Sequence, residues 1–378
     1  MLTITLGMLS LLCRAGEPQS FPIIADIMHT EFYDAERFRD IHKAGFNACL
    51  CWCRTPKQMQ AALGNAGAHG MRVIMFSNLF FEKPEKYIPL VMGHEALWQY
   101  YLADEPTLKN LETLTNQQKR IKKIDPHAQC YINLLPNGSR EVLQMIGVEK
   151  YPQYLQAFSS ILQSQISYDF YPVQGKVVRG DIWYKILNDI REESLRTGRP
   201  FWAYVLCVPH FIFPMPTIGH LRLQCYVNLA YGAQGIQYFS YSTPEPTEQY
   251  DFHDGPLLRN GKKSRTYSLV KKMNAELKPV ASLFWQSKVT GIEHRRCIGG
   301  EVVVSHFQKN GERYTCFVNK SAEKDVTVSL RPREYAQRIR KDLKAESVKP
   351  YYTLPAGDIL ILKMKSEEAT LDGRREGQ

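Results

Sequence analysis

The chain has 378 residues, 44% of them hydrophobic and 23% charged, with 24 Gly and 21 Pro spread along it. This composition excludes a collagen-like or wholly disordered chain, and the length suits one large domain with a smaller one. The 48 basic and 38 acidic residues leave a net charge of +10, which permits an anionic partner without requiring one.

Residues 2–13 form the first apolar stretch, well short of the roughly 20 residues that span a bilayer, so no stable membrane insertion is expected. Followed by Cys13-Arg14-Ala15-Gly16, the stretch reads as a secretory signal over residues 1–15, although its start lacks the usual Lys or Arg. A secreted or periplasmic protein follows from that reading. Leu12 stands where lipidation of Cys13 would want a small residue. The nine cysteines are odd in number and leave at least one unpaired. Cys49, Cys51 and Cys53 alternate along a strand without the Cys-x-x-Cys spacing of zinc knuckles and read as buried apolar residues, so neither a metal nor another cofactor is expected.

Eight runs rich in aliphatic, aromatic and β-branched residues follow, at 21–29, 46–54, 71–78, 97–106, 127–136, 166–173, 200–207 and 235–242. Their starts lie 25 to 39 residues apart, room for a strand, a helix and two loops, and eight such units predict a (β/α)8 TIM barrel over residues 20–287. Between runs four and five, Leu108, Leu111, Leu114, Ile121 and Ile124 recur at helical spacing, with Thr107 placed to cap. Lys119, Arg120, Lys122 and Lys123 on that helix read as a solvated face, and no nucleic-acid partner is expected. Gly45, Gly70 and Gly198 precede strands where a helix ends on a positive φ. Residues 266–284 make the eighth helix. Beyond Lys288 the apolar period changes to two, at 301–308, 313–318, 326–330 and 359–364, with turns such as Asn310-Gly311, which predicts a C-terminal antiparallel β-sandwich over 288–366 and a polar tail at 367–378. The basic stretch 331–349 holds seven Lys or Arg against three acidic residues and faintly favours an acidic polysaccharide.

A TIM barrel carries its site at the C-terminal ends of its strands. The strongest feature there is Asp104-Glu105-Pro106, closing the buried run "YYLADEP". Desolvation and mutual repulsion would raise the pKa of at least one of these carboxyls, and a raised-pKa Glu is what protonating a glycosidic oxygen requires. "YDFYP" closes strand six with Asp169, a candidate base or orienting group, and Tyr171. Strand eight offers Tyr241 and, just beyond it, Glu245. His29, Trp52, Asn78 and Asn133 complete the expected substrate-binding set at the ends of strands one, two, three and five. Trp202 reads as core.

The "YYLADEP" and "YDFYP" strand ends, the aromatic eighth strand and the appended sandwich resemble secreted TIM-barrel glycoside hydrolases of the broad clan that includes family 42 β-galactosidases. The resemblance covers most of the chain and implies a carbohydrate substrate with Glu105 as general acid/base. It also implies a nucleophilic Glu ending strand seven, where this chain reads Phe201-Trp202-Ala203-Tyr204-Val205-Leu206-Cys207-Val208 with no carboxylate. Asp169 or Glu245 could replace it. The adjacent Asp-Glu pair is also similar to that of hexosaminidases, which implies attack by the substrate's own acetamido group, oriented by Asp104, with Tyr171 or Tyr241 holding its oxygen. Two other readings stay open: a catalytically inactive carbohydrate-binding barrel, and a metal-dependent isomerase or lyase built on His29, Asp104, Glu105 and Asp169. Substrate, linkage and oligomeric state are not set by the sequence.

Overall fold

The computed structural model describes residues 20–365, so the expected signal at 1–15 and the polar tail lie outside the described residues. Eight parallel strands close into a barrel: β1 Ile23–Ile27, β2 Ala48–Trp52, β3 Arg72–Phe76, β4 Leu97–Asp104, β5 Cys130–Leu134, β6 Ile166–Tyr168, β7 Phe201–Leu206 and β8 Ile236–Phe239. Neighbours in sequence are neighbours in the barrel, and β8 pairs back onto β1 with Ile24 opposite Gln237. Helices separate them, among them α1 Ala35–Lys43, α2 Pro56–Gly67, the short α3 Leu79–Glu82 and α4 Pro84–Tyr87, α5 Leu111–Ile124, α6 Arg140–Ile146, α7 Tyr151–Ser159, α8 Gly180–Thr197, α9 Ile218–Tyr231 and α10 Arg265–Phe284.

Local chemistry explains the boundaries. Asp34 and Thr55 accept N–H bonds at the starts of α1 and α2, while Gly198 ends α8 at φ 68°. Strand alternation separates two cores. Ile24, Leu50, Ile74, Tyr101 and Trp202 fill the lumen, whereas Ile23, Cys49, Cys51 and Val73 face the helices. Cys49, Cys51 and Cys53 are all buried free thiols, and burial pushes the Cys53 thiol above its ordinary range.

The C-terminal module is an antiparallel β-sandwich. β9 Lys288–Cys297, β10 Gly300–Lys309, β11 Glu312–Asn319, β13 Tyr335–Ile339 and β15 Ile359–Met364 belong to one sheet, ordered β9-β10-β11-β15-β13 with a short strand at Ala345–Glu346 on the β13 edge. β12 Val326–Ser329 pairs with β14 Tyr351–Leu354. The middle of the large sheet is buried on both faces, Val302 and Val304 toward the second sheet and Val303 toward the barrel. α9 lies between barrel and sheet, so nearly every side chain from Gly219 to Tyr231 is buried and it has no polar stripe. Arg222, Glu276, Lys341 and Asp358 join the two parts in a network that includes a bidentate Arg222–Glu276 pair at 2.8 and 2.9 Å.

Close backbone approach fixes this junction. A Cβ on Gly219 would overlap the Ala322 carbonyl and come within 2.9 Å of the Ala356 side chain. Ala normally stabilises a helix interior by about 1 kcal/mol over Gly. Here Gly219→Ala is expected to reverse the sign and destabilise by about 1–3 kcal/mol, read as a lower urea midpoint at unchanged slope.

Candidate functional site

β4 departs from regular pairing against both neighbours, with register shifts between Val73 and Ile74 on one side and between Tyr101 and Ala103 on the other. Such bulges re-aim side chains at a barrel rim. Asp104 and Glu105 emerge there into solvent at the mouth. Glu105 adopts φ 44°, a left-handed conformation costly for a non-glycine residue, held by its N–H bond to the Asn133 carbonyl at 2.9 Å.

Asn133 connects the acidic groups. Its amide nitrogen donates to Asp104 Oδ1 at 3.1 Å and to Asp169 Oδ1 at 3.0 Å, and its oxygen accepts from Ser167 Oγ at 2.9 Å. The amide is thereby committed to protein partners within the acidic cluster. Ser167 is held in turn by Gln237 Nε2 at 2.8 Å, and Gln237 Oε1 accepts from the Tyr131 hydroxyl at 2.8 Å. A buried chain of polar groups running down the lumen thus supports the rim. Tyr101 Oη gives Asp104 a second bond at 2.8 Å.

The Glu105 and Asp169 side chains face each other closely enough for a hydrogen bond between them to act on the Glu105 pKa. Two carboxyls can make such a bond only if one carries a proton. The protein around Glu105 removes enough water to push its pKa up to about 7, the Asp104 charge adds to this, and the bond with Asp169 opposes it. Burial, then the charges of Glu105 and Asp104, raise Asp169 well above the carboxylate range, against the Asn133 bond. Both carboxyls are thus pushed toward keeping a proton, and the two titrate as a coupled pair.

A further lumen carboxyl, Asp26 of β1, lies beneath the mouth, 3% exposed, and accepts from Trp52 Nε1 at 2.9 Å. Burial is the main cause of its pKa rising to about 7, with Asp104 contributing. Reading only strand ends misses Asp26. The available signal is a single charge at a lumen-facing position of an otherwise apolar strand. Trp52 itself sits at the mouth, 4.7 Å from Phe76 and 5.4 Å from Tyr101 between ring centroids.

Tyr171 stacks on Phe239 at 6.0 Å, and the neighbouring charges of Asp169, Asp104 and Glu105 add to burial in raising its phenol pKa. It belongs with an aromatic wall of Phe213, Phe239, Tyr250 and Phe252, most of it supplied by loops that the sequence reading passed over. Phe211, 67% exposed, extends the wall into solvent, its N–H bonded to Asp251 at 2.7 Å.

Three expected residues lie elsewhere. Strand β8 ends at Phe239, so Tyr241 is on the following loop, fully buried edge-on to Phe46 in the barrel–helix layer. Glu245 is 70% exposed, 4.0 Å from His29 and 3.9 Å from Arg259, and is not among the carboxyls that Asn133 joins. His29 bonds the Thr243 carbonyl through Nε2 at 2.6 Å and faces Glu31 at 3.3 Å, so it does not converge with Asp104, Glu105 and Asp169 as a metal set would require. Among the described residues, no three His, Cys, Asp or Glu side chains are arranged to hold a metal ion. Asn78 is exposed at the start of α3, its carbonyl accepting from Phe81 and Glu82. No helix among the described residues is long and apolar enough to cross a membrane.

The sequence matches no protein-family model and no curated protein. Among solved structures the fold is similar to a β-galactosidase from Bacillus circulans sp. alkalophilus, with TM-score 0.63 and 10% identity over 92% of this chain and 99% of that one. It is similar as well to a GH42 β-galactosidase from G. stearothermophilus, with TM-score 0.62 and 9% identity over 93% of this chain and 99% of that one. At these identities the likeness is one of fold, the (β/α)8 barrel.

Proposed function

We propose that the chain is a glycoside hydrolase that cleaves O-glycosidic bonds in an oligo- or polysaccharide, with Glu105 as general acid/base. The observation that carries this reading is the cluster of Asp104, Glu105 and Asp169 at the barrel mouth, joined through Asn133, in which burial raises the Glu105 pKa. In this reaction Glu105 gives its proton to the glycosidic oxygen as the C–O bond breaks and the alcohol leaves with that proton; the positive charge that develops at the anomeric carbon is met by an attacking group, and water finally adds there, its proton returning to Glu105. If the sequence's leader acts as a signal, the enzyme works outside the cytoplasm.

Asp169 suits orienting Glu105 better than attacking the sugar, since a carboxyl within hydrogen-bonding reach of Glu105 stands nearer than the about 5 Å of a retaining pair or the roughly 6.5–9.5 Å of an inverting one. Strand β7 ends without a carboxylate. Both facts favour a substrate acetamido group as internal nucleophile, oriented by Asp104, with the Tyr171 hydroxyl rather than the buried Tyr241 near its oxygen. The same two facts motivate the second reading, a carbohydrate-binding barrel without turnover.

A panel of aryl glycosides that includes N-acetylhexosaminides separates them. Turnover confined to acetamido sugars is the expected result. Equal turnover of plain hexosides would remove the substrate-assisted mechanism, and glycan affinity with no release of reducing ends would favour the binding protein.

A further inference from the structure

A cavity of about 1170 Å³ lies away from the carboxylate mouth. Its walls include Trp98 near the start of β4, Phe201 and Trp202 at the start of β7, and Gln165 and Gln234 just ahead of β6 and β8. These are the N-terminal strand ends, so the cavity underlies the barrel at the end opposite Asp104 and Glu105. α8 and the linker from α10 into β9 close its sides.

Its chemistry is one-sided. None of its lining residues is Asp or Glu, while Arg191, Arg199 and Lys288 all contribute. Arg191 Nε is buried without a partner and Nη2 reaches the Val289 carbonyl at 3.3 Å, so this guanidinium has no carboxylate partner among the described residues. Arg199 stands near Glu193, a carboxylate already held bidentately by Arg196 at 2.6 and 2.7 Å. Gln163 Oε1 and Ser287 Oγ are further polar atoms of the wall without partners. Indole surface accompanies the charge. Trp98 and Trp202 pack at 4.9 Å between centroids, and Trp202 lies so close to the chain that a Cβ on Gly235 would come within 2.6 Å of it. Trp285 is a half-buried wall.

We propose that this basal cavity is a second ligand site, for an anionic saccharide whose carboxylate or sulfate is taken by Arg191 and whose ring faces pack against the indoles. A guanidinium with no carboxylate partner suits a planar or tetrahedral oxyanion, and aromatic faces with amide donors suit a hydroxylated ring. The volume exceeds the about 300–1000 Å³ of small-molecule pockets, which leaves room for more than a single sugar. The site stands apart from the carboxylate cluster and does not rest on the catalytic reading.

Calorimetric titration of the intact chain tests it with four probes: a trigalacturonate, a sulfated chondroitin disaccharide, a neutral galactose trisaccharide and sodium sulfate. At least one charged saccharide is expected to bind, more weakly as salt rises, and at least tenfold tighter than the neutral sugar or sulfate alone. Arg191→Ala should weaken that binding by about tenfold to hundredfold, Arg191→Lys by less, and Glu105→Gln not at all. The two carboxylate and sulfate probes decide which anion is preferred. Equal affinity for the neutral sugar or for free sulfate would overturn the proposal. So would an unaffected Arg191→Ala chain, absence of any binding, or loss of binding in Glu105→Gln, which would move the ligand to the mouth. If Arg191→Ala does not fold by circular dichroism, Arg191→Lys and the salt series carry the test.

Discussion

Glu105→Gln is expected to lower kcat by about 10²–10⁴-fold, the usual contribution of a positioned general acid, while KM changes little. Gln keeps the shape and the amide can still bond Asp169, but it has no proton to give. Wild-type kcat would follow pH in a stated direction. The acid form is needed, so activity should fall as pH rises through about 7, where Glu105 loses its proton. The sign for stability is the opposite of the usual salt-bridged carboxylate. In the fold Glu105 binds its proton more tightly than in the unfolded chain, whose value is 4.5, so the folded state is progressively disfavoured between 4.5 and about 7. The neutral Gln escapes this. The variant should therefore melt at the same temperature as wild type below pH 4.5 and at a higher one at pH 8. Near-normal kcat in a well-folded variant would remove Glu105 from the chemistry, and a variant that melts lower at pH 8 would contradict the charge argument. Left-handed backbone at Glu105 fits the same picture, a residue held in a costly place for a reason other than stability.

How far the sequence discloses such a site depends on what its residues must do locally. The eight barrel strands are legible because each must bury a run of apolar side chains on both faces, and a helix end such as that at Gly198 declares itself through a positive φ. The edge strand β9 escapes period-two reading because it is mostly exposed and carries Lys288, Glu293, Arg295 and Arg296. β13 and β14 are short and alternate with exposed residues of both kinds. At the site, Asp104 and Glu105 stand out as adjacent carboxyls ending a buried run. Asp26 does not, because its meaning depends on the parity of β1, which points it into the lumen. Tyr241 fails for a related reason. The regular strand stops at Phe239, so counting alternation past it assigns the wrong face. The basal cavity leaves no trace in any one segment, since its cations come from a helix, a loop and the first residue of the sandwich.

Asn133→Leu probes the positioning of the acidic group and not the acid itself. Leu fills the space and removes the donor shared by Asp104 and Asp169. A hydrogen bond to a charged group is worth about 1.5–3 kcal/mol, which converts to about one to two pH units and to a kcat loss of roughly tenfold to hundredfold if the geometry relaxes by that amount. The donor favours the ionised form of Asp169, so its removal makes the Glu105–Asp169 pair hold its proton more tightly. The high-pH limb of the kcat profile should then move upward by about one to two units even as kcat at the optimum falls. A residue that merely packs would lower stability and kcat and leave that limb where it is. Asn133→Asp adds an acidic group beside three other carboxyls and should shift the limb the same way, while retaining an acceptor for the Ser167 hydroxyl. A limb that stays in place in both variants would mean that Asn133 does not tune the pair. A limb that moves down would mean that the proton is held by groups other than Glu105 and Asp169.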